Sequence, residues 1–309
     1  MMTFNGYQAA LGALYGQAVG DALGTTLEFR NAESNRKAFP GGLRRIVGGG
    51  AFDVEPGQVT DDTEMAMALA HSLVTEKCHN PRKVFAAYKA WANSKPIDIG
   101  GTTSSALLGD KLNHESEANG ALMRVSPLGV FCWNVQSSAL VAAMGRQDAS
   151  LTHPNRICQD ASGIYAATIA RCVGWPGHDR FDVFDFALTL AKRLNARECI
   201  ADLEAAQVGN LRANFDGHVR VAFSLAFYHL IHTDSFEEAV VETVMHGGDA
   251  DTNGCIVGAL LGAHQGVEAI PEHWIETVKA ACVARPEIYQ ATGIESLTAK
   301  LLRAAEEIP

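Results

Sequence analysis

The stretch Gly16-Gln-Ala-Val-Gly-Asp-Ala-Leu-Gly24 places a glycine at every fourth position near the start of the chain. Residues four apart share one face of an α-helix, so one face of this helix is bare and a second backbone can approach it closely. The spacing therefore predicts tight helix packing. Asp21 lies within the stretch, and Glu28 lies about two helical turns beyond Asp21. A buried carboxylate needs a partner, so both acids are candidates for a polar site, although Asp21 alone also fits a structural role.

The rest of the chain repeats apolar residues at three- and four-residue spacing, interrupted by short Gly, Pro or Asn turns. This periodicity indicates amphipathic helices. Pro81, Pro154 and Pro271 stand at or near helix starts, where the missing N–H of proline costs little. We therefore predict one all-α domain over residues 1–309. The predicted helices lie near 6–23, 61–76, 81–94, 102–113, 119–131, 137–147, 157–173, 179–194, 217–232, 235–246, 252–265, 271–284 and 294–306.

Composition excludes several classes of protein. The 47% hydrophobic and 19% charged residues are typical of a folded globular chain rather than a disordered one. The net charge of −10 disfavours nonspecific binding of nucleic acid. No apolar run is long enough for a membrane span, and the N-terminus lacks the features of a signal peptide. The seven cysteines are scattered without a C-x-x-C pair, which predicts neither a zinc site nor disulfides. We expect a cytoplasmic monomer.

A second stretch, His246-Gly-Gly-Asp-Ala-Asp-Thr-Asn-Gly254, sets an acidic group between two apolar segments. Asp249 and Asp251 are two positions apart and Thr252 adds a hydroxyl. Burying two carboxylates is costly unless positive charge neutralises them. Because Asp and Thr offer only oxygen ligands, a hard divalent cation is the natural partner. The alternative is a helix N-cap, a position that Asp and Thr often occupy.

Thr60, Asp61 and Asp62 repeat this composition at the start of another predicted helix. Carboxylates are favoured there by the helix dipole, and a cap assisted by Glu64 is again the alternative. However, one cap does not need two adjacent aspartates. Each stretch supplies two acids and a hydroxyl, and together the six side chains match two hard cations that share one site.

Further polar positions lie between these stretches. Asp98 precedes a Gly-Gly turn and also fits a simple turn or cap acid. Asn119 and Gly120 open a segment of small residues whose backbone N–H groups can hold an anion, although Asn119 can equally cap a helix. We interpret Arg124 as half of a structural ion pair. His153 stands just before a helix, where a lone histidine is usually structural.

The polar stretches described above, in their order along the chain, resemble those of the ADP-ribosylglycohydrolase family, including its dinitrogenase reductase-activating branch. The resemblance covers nearly the whole chain. It implies an all-α orthogonal bundle around a central cleft that holds two Mg²⁺ or Mn²⁺ ions. The matching stretches are GQAVGDALGTTLEF (16–29), PGQVTDDTEM (56–65), SKPIDIGGTT (94–103), NGALMRVSPLG (119–129), LTHP (151–154) and GGDADTNGCIVGALLGA (247–263).

The resemblance also implies roles for the matched positions. Glu28 resembles a loop acid that helps to hold a metal or the attacking water. Asp98 resembles the acid/base carboxylate of arginine-specific members. The positions that resemble metal ligands are Thr60, Asp61, Asp62, Asp249, Asp251 and Thr252. The positions that fall where relatives contact ADP-ribose are Gly100, Thr102, Asn119, Gly120 and His153.

The implied reaction is metal-dependent hydrolysis of the N-glycosidic bond between ADP-ribose and an arginine of a modified protein. Gly101 stands where arginine-specific relatives often have Asn, His246 stands where many have another polar residue, and segment 216–220 is shorter and lacks a tyrosine. ADP-ribosyl-serine, O-acetyl-ADP-ribose or another conjugate are therefore alternative substrates. An immunity protein that counters an ADP-ribosyltransferase toxin is a further alternative. An inactive relative is disfavoured because all six metal-ligand positions are present.

Overall fold

Fifteen α-helices follow one another in the computed structural model, which describes residues 2–212, 214–281 and 283–307. The first eight are α1 Phe4–Gly24, α2 Ala32–Ala38, α3 Asp61–Glu76, α4 Pro81–Asn93, α5 Gly101–Leu107, α6 Ser126–Phe131, α7 Ser138–Ser150 and α8 Arg156–Gly174. The others are α9 Arg180–Arg193, α10 Arg197–Gln207, α11 Val219–His232, α12 Phe236–Met245, α13 Ala250–Gln265, α14 Glu272–Ala280 and α15 Ile294–Glu306. Among the described residues, β pairing is limited to three isolated bridges. The all-α prediction is confirmed.

The glycine face of α1 packs against α13. A Cβ atom at Gly16 would lie 2.1 Å from the carbonyl oxygen of Gly258, and one at Gly20 would lie 2.1 Å from that of Gly254. Gly12 meets Gly262 in the same way, at 2.0 Å. Because rising numbers on α1 meet falling numbers on α13, the two helices are antiparallel. The predicted close approach is confirmed, and it brings the end of α1, with Asp21, beside the start of α13, with Asp251.

Other helices surround this central pair. Helices α11 and α12 pack on α13, α8 packs on α6, α7 and α9, and α3 packs on α4 and α15. One apolar core runs through these contacts, from Ala9 of α1 to Ala305 of α15. From this continuity we infer a single domain. Within the described part of the chain, no helix combines the length and hydropathy needed to cross a membrane.

Two helices escaped the prediction. Helix α2 is short, with only Asn35 buried, so its sequence carries no periodic signal. Helix α10 buries Cys199, Asp202, Leu203 and Ala206, which is helical spacing, but Asp202 interrupts the apolar face.

Two predicted helices were wrong in extent. The helix expected over 102–113 ends at Leu107, and Asp110 shortly beyond it has a left-handed φ of 48°, which an α-helix cannot accommodate. The helix expected over 119–131 begins only at Ser126, with Pro127 in its first turn. Proline inside a longer helix would remove a backbone hydrogen bond and clash with the preceding turn. Residues 119–125 form turns instead.

Gly16→Ala is expected to destabilise the protein by about 1–3 kcal/mol, because the new methyl group would overlap the Gly258 carbonyl. Helix propensity alone would favour alanine by about 1 kcal/mol, so the sign of the change separates packing from propensity. Urea unfolding measures it. Gly41→Ala is the control, since its Cβ would meet nothing within 4 Å. A Gly16→Ala protein more stable than the wild type would contradict the close α1–α13 contact.

Candidate active site

The polar residues predicted from separate parts of the sequence surround one cavity of about 500 Å³. The starts of α3, α5 and α13 meet there. All of the predicted site residues except Thr60 and Asp62 line the cavity, and those two lie directly behind it. The structure therefore brings the predicted residues together.

Asp21 organises the start of α3. Its carboxylate accepts hydrogen bonds from the backbone N–H groups of Thr60 and Thr63, each at 3.1 Å. The Thr60 hydroxyl lies 3.0 Å from Asp21 and 3.0 Å from Asp62, and it can donate to either. Thr60 occupies the N-cap position, but its own side chain accepts no capping hydrogen bond. Asp21 thus has the structural role considered for it, and the cap interpretation of Thr60 is wrong.

The start of α13 is likewise not capped by its own acid. Asp249 occupies the N-cap position without a side-chain capping bond. Its Oδ2 instead accepts a hydrogen bond of 2.5 Å from Nδ2 of Asn119, so Asn119 is a partner of the acid rather than a helix cap. Thr252 Oγ1 lies 3.4 Å from Asp62 Oδ2, which joins the two acidic stretches directly.

Glu28 joins the same group of carboxylates through a loop. Phe29 N–H donates to the Gly248 carbonyl at 2.7 Å, and Gly248 N–H donates to the Arg30 carbonyl at 2.8 Å. This pairing places one carboxylate oxygen each of Glu28, Asp249 and Asp251 within 4.8 Å of one another. Such a group of oxygens is suited to a hard cation.

The electrostatics of the cavity require positive charge. Burial, together with repulsion from neighbouring carboxylates, raises the pKa of Glu28 to about 8. The pKa values of Asp61, Asp62 and Asp251 are raised well above the usual range for the same reasons.

No basic side chain neutralises these carboxylates from within the cavity, since none of the described residues that line it is Lys or Arg. Glu28 Oε2 and Asp62 Oδ1 are buried without a hydrogen-bond partner. An unneutralised group of this kind is costly, and oxygen-only donors match divalent cations such as Mg²⁺ or Mn²⁺. The residues present therefore fit a metal site.

Asp98 reaches the cavity on the segment that precedes α5. Gly100 N–H donates to Asp61 Oδ2 at 3.2 Å, which ties this segment to α3. Burial raises the pKa of Asp98. Gly100, not Asp98, holds the N-cap position of α5, so the structure does not use Asp98 as the cap of that helix.

A buried ion pair holds the segment from its other side. Arg285 contacts both carboxylate oxygens of Glu64, at 2.7 and 2.6 Å, and Trp91 donates to Glu64 Oε2 at 2.7 Å. The same guanidinium donates to the carbonyls of Ser94 and Lys95. Glu64 therefore positions the segment that carries Asp98, and it does not assist a cap at Thr60.

Arg285→Met is expected to destabilise the protein by about 3–5 kcal/mol, because it leaves Glu64 buried without its charge partner. It should also lower kcat, since the segment that carries Asp98 loses its attachment. Chemical unfolding and a hydrolase assay measure the two effects. Arg44→Met, which breaks an exposed pair with Glu237 and Glu238, is the control and should cost less than about 1 kcal/mol. Equal losses in the two variants would contradict the positioning role of Arg285.

The base of the cavity is formed by Gly120 and His153. A Cβ atom at Gly120 would lie 3.0 Å from Cε1 of His153, so only glycine leaves the ring open to the cavity. Burial, with a smaller contribution from Arg124, lowers the pKa of His153 to about 3. Thr102 faces Ser116, with 2.7 Å between their hydroxyl oxygens.

Arg124 is entirely buried and contacts Asp148 Oδ2 at 3.2 Å. The structural ion pair predicted for Arg124 is confirmed. Asp148 also accepts a hydrogen bond of 2.8 Å from the Tyr88 hydroxyl, and the guanidinium lies 4.3 Å from the centre of the Tyr88 ring. Because these contacts neutralise Arg124 internally, its charge is not available to the carboxylates of the cavity.

Several residues that line the cavity were not predicted. Phe29 is 71% exposed at its mouth and has a left-handed φ of 60°, and nothing in its sequence context indicates this. Asp216 and Gly217 form the opposite side, where the Gly217 carbonyl accepts from Asn119 N–H at 3.0 Å. Their Asp-Gly dipeptide is a turn signal, and it is the one feature that could have placed a loop there.

Comparison with known proteins gives these observations a context. The sequence matches the ADP-ribosylglycohydrolase family over residues 4–308. The chain belongs to this family. A putative ADP-ribosyl glycohydrolase of Acanthamoeba polyphaga mimivirus is 31% identical, over 87% of this chain and 90% of the relative. A solved structure described as an ADP-ribosylglycohydrolase-related protein complex has a TM-score of 0.81 and 26% identity, over 98% of this chain and 100% of that one.

The names of two further relatives state what those proteins act on. The ADP-ribosyl-dinitrogen reductase glycohydrolase of Rhodospirillum rubrum is 28% identical, over 87% of this chain and 90% of its own. The ADP-ribosylarginine hydrolase of Pseudomonas putida is 27% identical, over 87% of this chain and 74% of its own. The resemblance inferred from the motifs is thus confirmed, and it identifies this ADP-ribosylglycohydrolase as a hydrolase of the ADP-ribosyl linkage.

Proposed function

We propose that this protein is a divalent-metal-dependent hydrolase that cleaves the N-glycosidic bond between ADP-ribose and an arginine side chain. The observation that carries the proposal is the group of buried and half-buried carboxylates that faces one cavity, where no described lining residue is Lys or Arg. The name of one relative, ADP-ribosylarginine hydrolase, supports the arginine linkage.

Two cations would be held by the side chains of both acidic stretches. When bound, they would neutralise the carboxylates and polarise a water molecule or a sugar hydroxyl. Glu28 supports the same function, because its carboxylate is grouped with those of Asp249 and Asp251. The residues proposed as ligands are Thr60, Asp61, Asp62, Asp249, Asp251 and Thr252.

Asp98 is the better candidate for the acid/base carboxylate. It lines the cavity outside the close group formed by Glu28, Asp249 and Asp251. Burial raises its pKa, and a carboxyl group that holds a proton can donate it to the departing guanidine nitrogen. Glu28, grouped with the proposed ligands, would then help to orient the attacking water.

The part of the cavity beside the acidic group would bind the ADP-ribosyl group. Gly100 and Gly101 have no atoms within 4 Å of the position that a Cβ would occupy, so their backbone is open to a ligand. Asn119 and Gly120 present a turn between Asp249 and His153, and Thr102 lies beside them. We propose these residues as the contacts to the sugar and the pyrophosphate.

A hydrolase assay on matched peptides tests the proposal. One peptide carries ADP-ribosyl-arginine and the other ADP-ribosyl-serine, and release of ADP-ribose is measured with Mg²⁺, with Mn²⁺ and in excess EDTA. We expect release from the arginine peptide only when a divalent ion is present. Full activity in EDTA would contradict the metal requirement. Release from the serine peptide alone would reassign the linkage, and a tight complex with an ADP-ribosyltransferase without hydrolysis would support the immunity alternative.

A further inference from the structure

His153 lies at the base of the cavity with one ring nitrogen bound and the other open. The residue is 1% exposed. Its Nδ1 lies 2.8 Å from the hydroxyl oxygen of Thr152. Its Nε2 has no hydrogen-bond partner among the described residues and lies 3.1 Å from the position that a Cβ at Gly120 would occupy. Whether Nε2 carries a hydrogen decides whether this point of the cavity binds an acceptor or a donor.

The Thr152 hydroxyl is fully buried and is bound on its other side by Arg124. Arg124 Nη1 donates to Thr152 Oγ1 at 2.8 Å. A guanidinium has no acceptor and keeps its protons at any ordinary pH, so the direction of this hydrogen bond is certain and Thr152 Oγ1 accepts. The guanidinium is itself fixed by Asp148 Oδ2 at 3.2 Å and by the Asp148 carbonyl at 3.1 Å.

The direction of the second hydrogen bond follows from the first. In the part of the chain that the structure describes, Thr152 Oγ1 contacts only Arg124 and His153 as hydrogen-bond partners. A buried hydroxyl uses its hydrogen when an acceptor is in reach, so Thr152 donates to Nδ1 of His153. The ring nitrogen that accepts carries no hydrogen, and in a neutral imidazole the hydrogen is then on Nε2.

We propose that Arg124 and Thr152 are positioning residues that fix His153 as the neutral Nε2–H tautomer, so that the cavity binds an oxygen acceptor of its ligand there. The surroundings favour the neutral ring, since His153 is buried and the positive charge of Arg124 outweighs the smaller opposing effect of Asp148. Only the identity of the ligand rests on the proposed function: under it, the acceptor is a hydroxyl or phosphate oxygen of the ADP-ribosyl group. Arg124 therefore acts on His153 through two hydrogen bonds, and His153 makes the contact with the ligand.

The tautomer itself is measured by NMR on protein labelled with ¹⁵N-histidine. Long-range ¹H–¹⁵N spectra distinguish a ring nitrogen that carries a hydrogen from one that does not, and the spectrum of His153→Gln assigns the resonances. We expect Nε2 of His153 to be protonated and Nδ1 to be unprotonated in the wild type. An Nδ1–H tautomer, or a doubly protonated ring, would overturn the proposal.

Variants of Thr152 test the transmission to the ligand. Thr152→Val keeps the shape of the side chain and removes the hydroxyl. We expect it to change the ¹⁵N signature of His153 and to weaken binding of ADP-ribose, measured by calorimetry with Mg²⁺ present, by roughly tenfold. Thr152→Ser restores the hydroxyl and should restore both readouts. Thr298→Val is the control, since Thr298 is fully buried and, among the described residues, its hydroxyl bonds only to the Ile294 carbonyl of its own helix.

The remaining outcomes separate this inference from the proposed function. An unchanged ¹⁵N signature and affinity in Thr152→Val would overturn the positioning role. A changed signature with unchanged affinity would overturn the contact to the ligand. Failure of the wild type to hydrolyse ADP-ribosyl-arginine, with the Nε2–H tautomer present and ADP-ribose bound, would contradict the proposed function and leave the role of Arg124 and Thr152 supported.

Discussion

Asp249→Asn lowers kcat/KM for release of ADP-ribose by on the order of a hundredfold or more, according to the proposed metal site. Even an outer partner of a metal ligand is worth about 10–100-fold in affinity or activity, and Asp249 is proposed as a direct ligand. The substitution keeps the shape of the side chain and an oxygen that can accept from Asn119, which now donates at 2.5 Å. Lost charge, rather than lost packing, would therefore cause the effect.

The same variant should not lose stability in metal-free buffer. Asp249 is half-buried beside Glu28 and Asp251, and repulsion by its charge contributes to the raised pKa values of both. Removing one charge relieves that repulsion. We therefore expect activity to fall while the unfolding midpoint in EDTA stays level or rises, as is common where a functional site stores unfavourable energy.

The experiment combines steady-state kinetics over a range of Mg²⁺ and Mn²⁺ concentrations with thermal unfolding in EDTA. Asp185→Asn, on the exposed face of α9, is the control for the loss of one carboxylate. Wild-type kcat/KM in Asp249→Asn at all metal concentrations would exclude this residue as a ligand. A large drop in stability in EDTA would instead indicate a structural role.

The metal-free protein is expected to lose stability as the pH rises from about 6.5 to about 8, a range in which buried histidines such as His153 and His229 are already neutral. The sign of this change in stability follows from the carboxylates of the cavity. Their pKa values in the folded state lie above the ordinary values, and that of Glu28 is raised to about 8. Between the ordinary and the raised pKa, the folded state binds more protons than the unfolded state. Stability then falls with rising pH, because its slope depends on the protons bound in the unfolded state minus those bound in the folded state.

Divalent cations should reverse this loss, and most strongly at the upper end of the range. A cation that binds only the folded protein stabilises it by about 4 kcal/mol at a thousandfold excess over Kd, and deprotonated carboxylates bind it best. Thermal unfolding at pH 5, 6, 7 and 8, with EDTA or with Mg²⁺ or Mn²⁺, measures both effects. For a large chain each kcal/mol is worth about 2–4 °C in Tm.

Two controls test whether the stabilisation by Mg²⁺ or Mn²⁺ comes from binding at the proposed site. Added Na⁺ at matched ionic strength separates specific binding from charge screening, which mainly weakens interactions between exposed charges more than about 10 Å apart. Asp249→Asn should show a smaller gain from Mg²⁺ than the wild type. A metal-free protein whose stability rises steadily from pH 5 to pH 8 would contradict the raised pKa values of the buried acids.

Much of the site could be predicted from the sequence alone. Thr60-Asp61-Asp62 and Asp249-Ala-Asp251-Thr252 share a composition that two helix caps do not need, and their union is borne out by the 3.4 Å approach of Thr252 Oγ1 to Asp62 Oδ2. Their ligand roles stay a prediction. Residue type alone indicated hard-cation chemistry, because carboxylates and hydroxyls offer only oxygen.

Other parts of the site depend on contacts between residues far apart in the chain. Glu28 joins Asp249 and Asp251 only because the loop after α1 pairs with Gly248. Arg285 reaches Glu64 across more than two hundred positions, and no local pattern links the two. The link from Arg124 through Thr152 to His153 likewise depends on the directions of buried hydrogen bonds, which spacing cannot supply.

The glycines every four residues from Gly16 to Gly24 show the same division. By itself the sequence determined that one face of α1 is bare, because a helix places every fourth residue on one side. It also carries a matching spacing at Gly254, Gly258 and Gly262. Only the tertiary structure decided that these two faces meet in antiparallel order. That choice depends on packing of the whole core, which is non-local. It sets Asp21, buried at the end of α1, near Asp251, which lines the cavity.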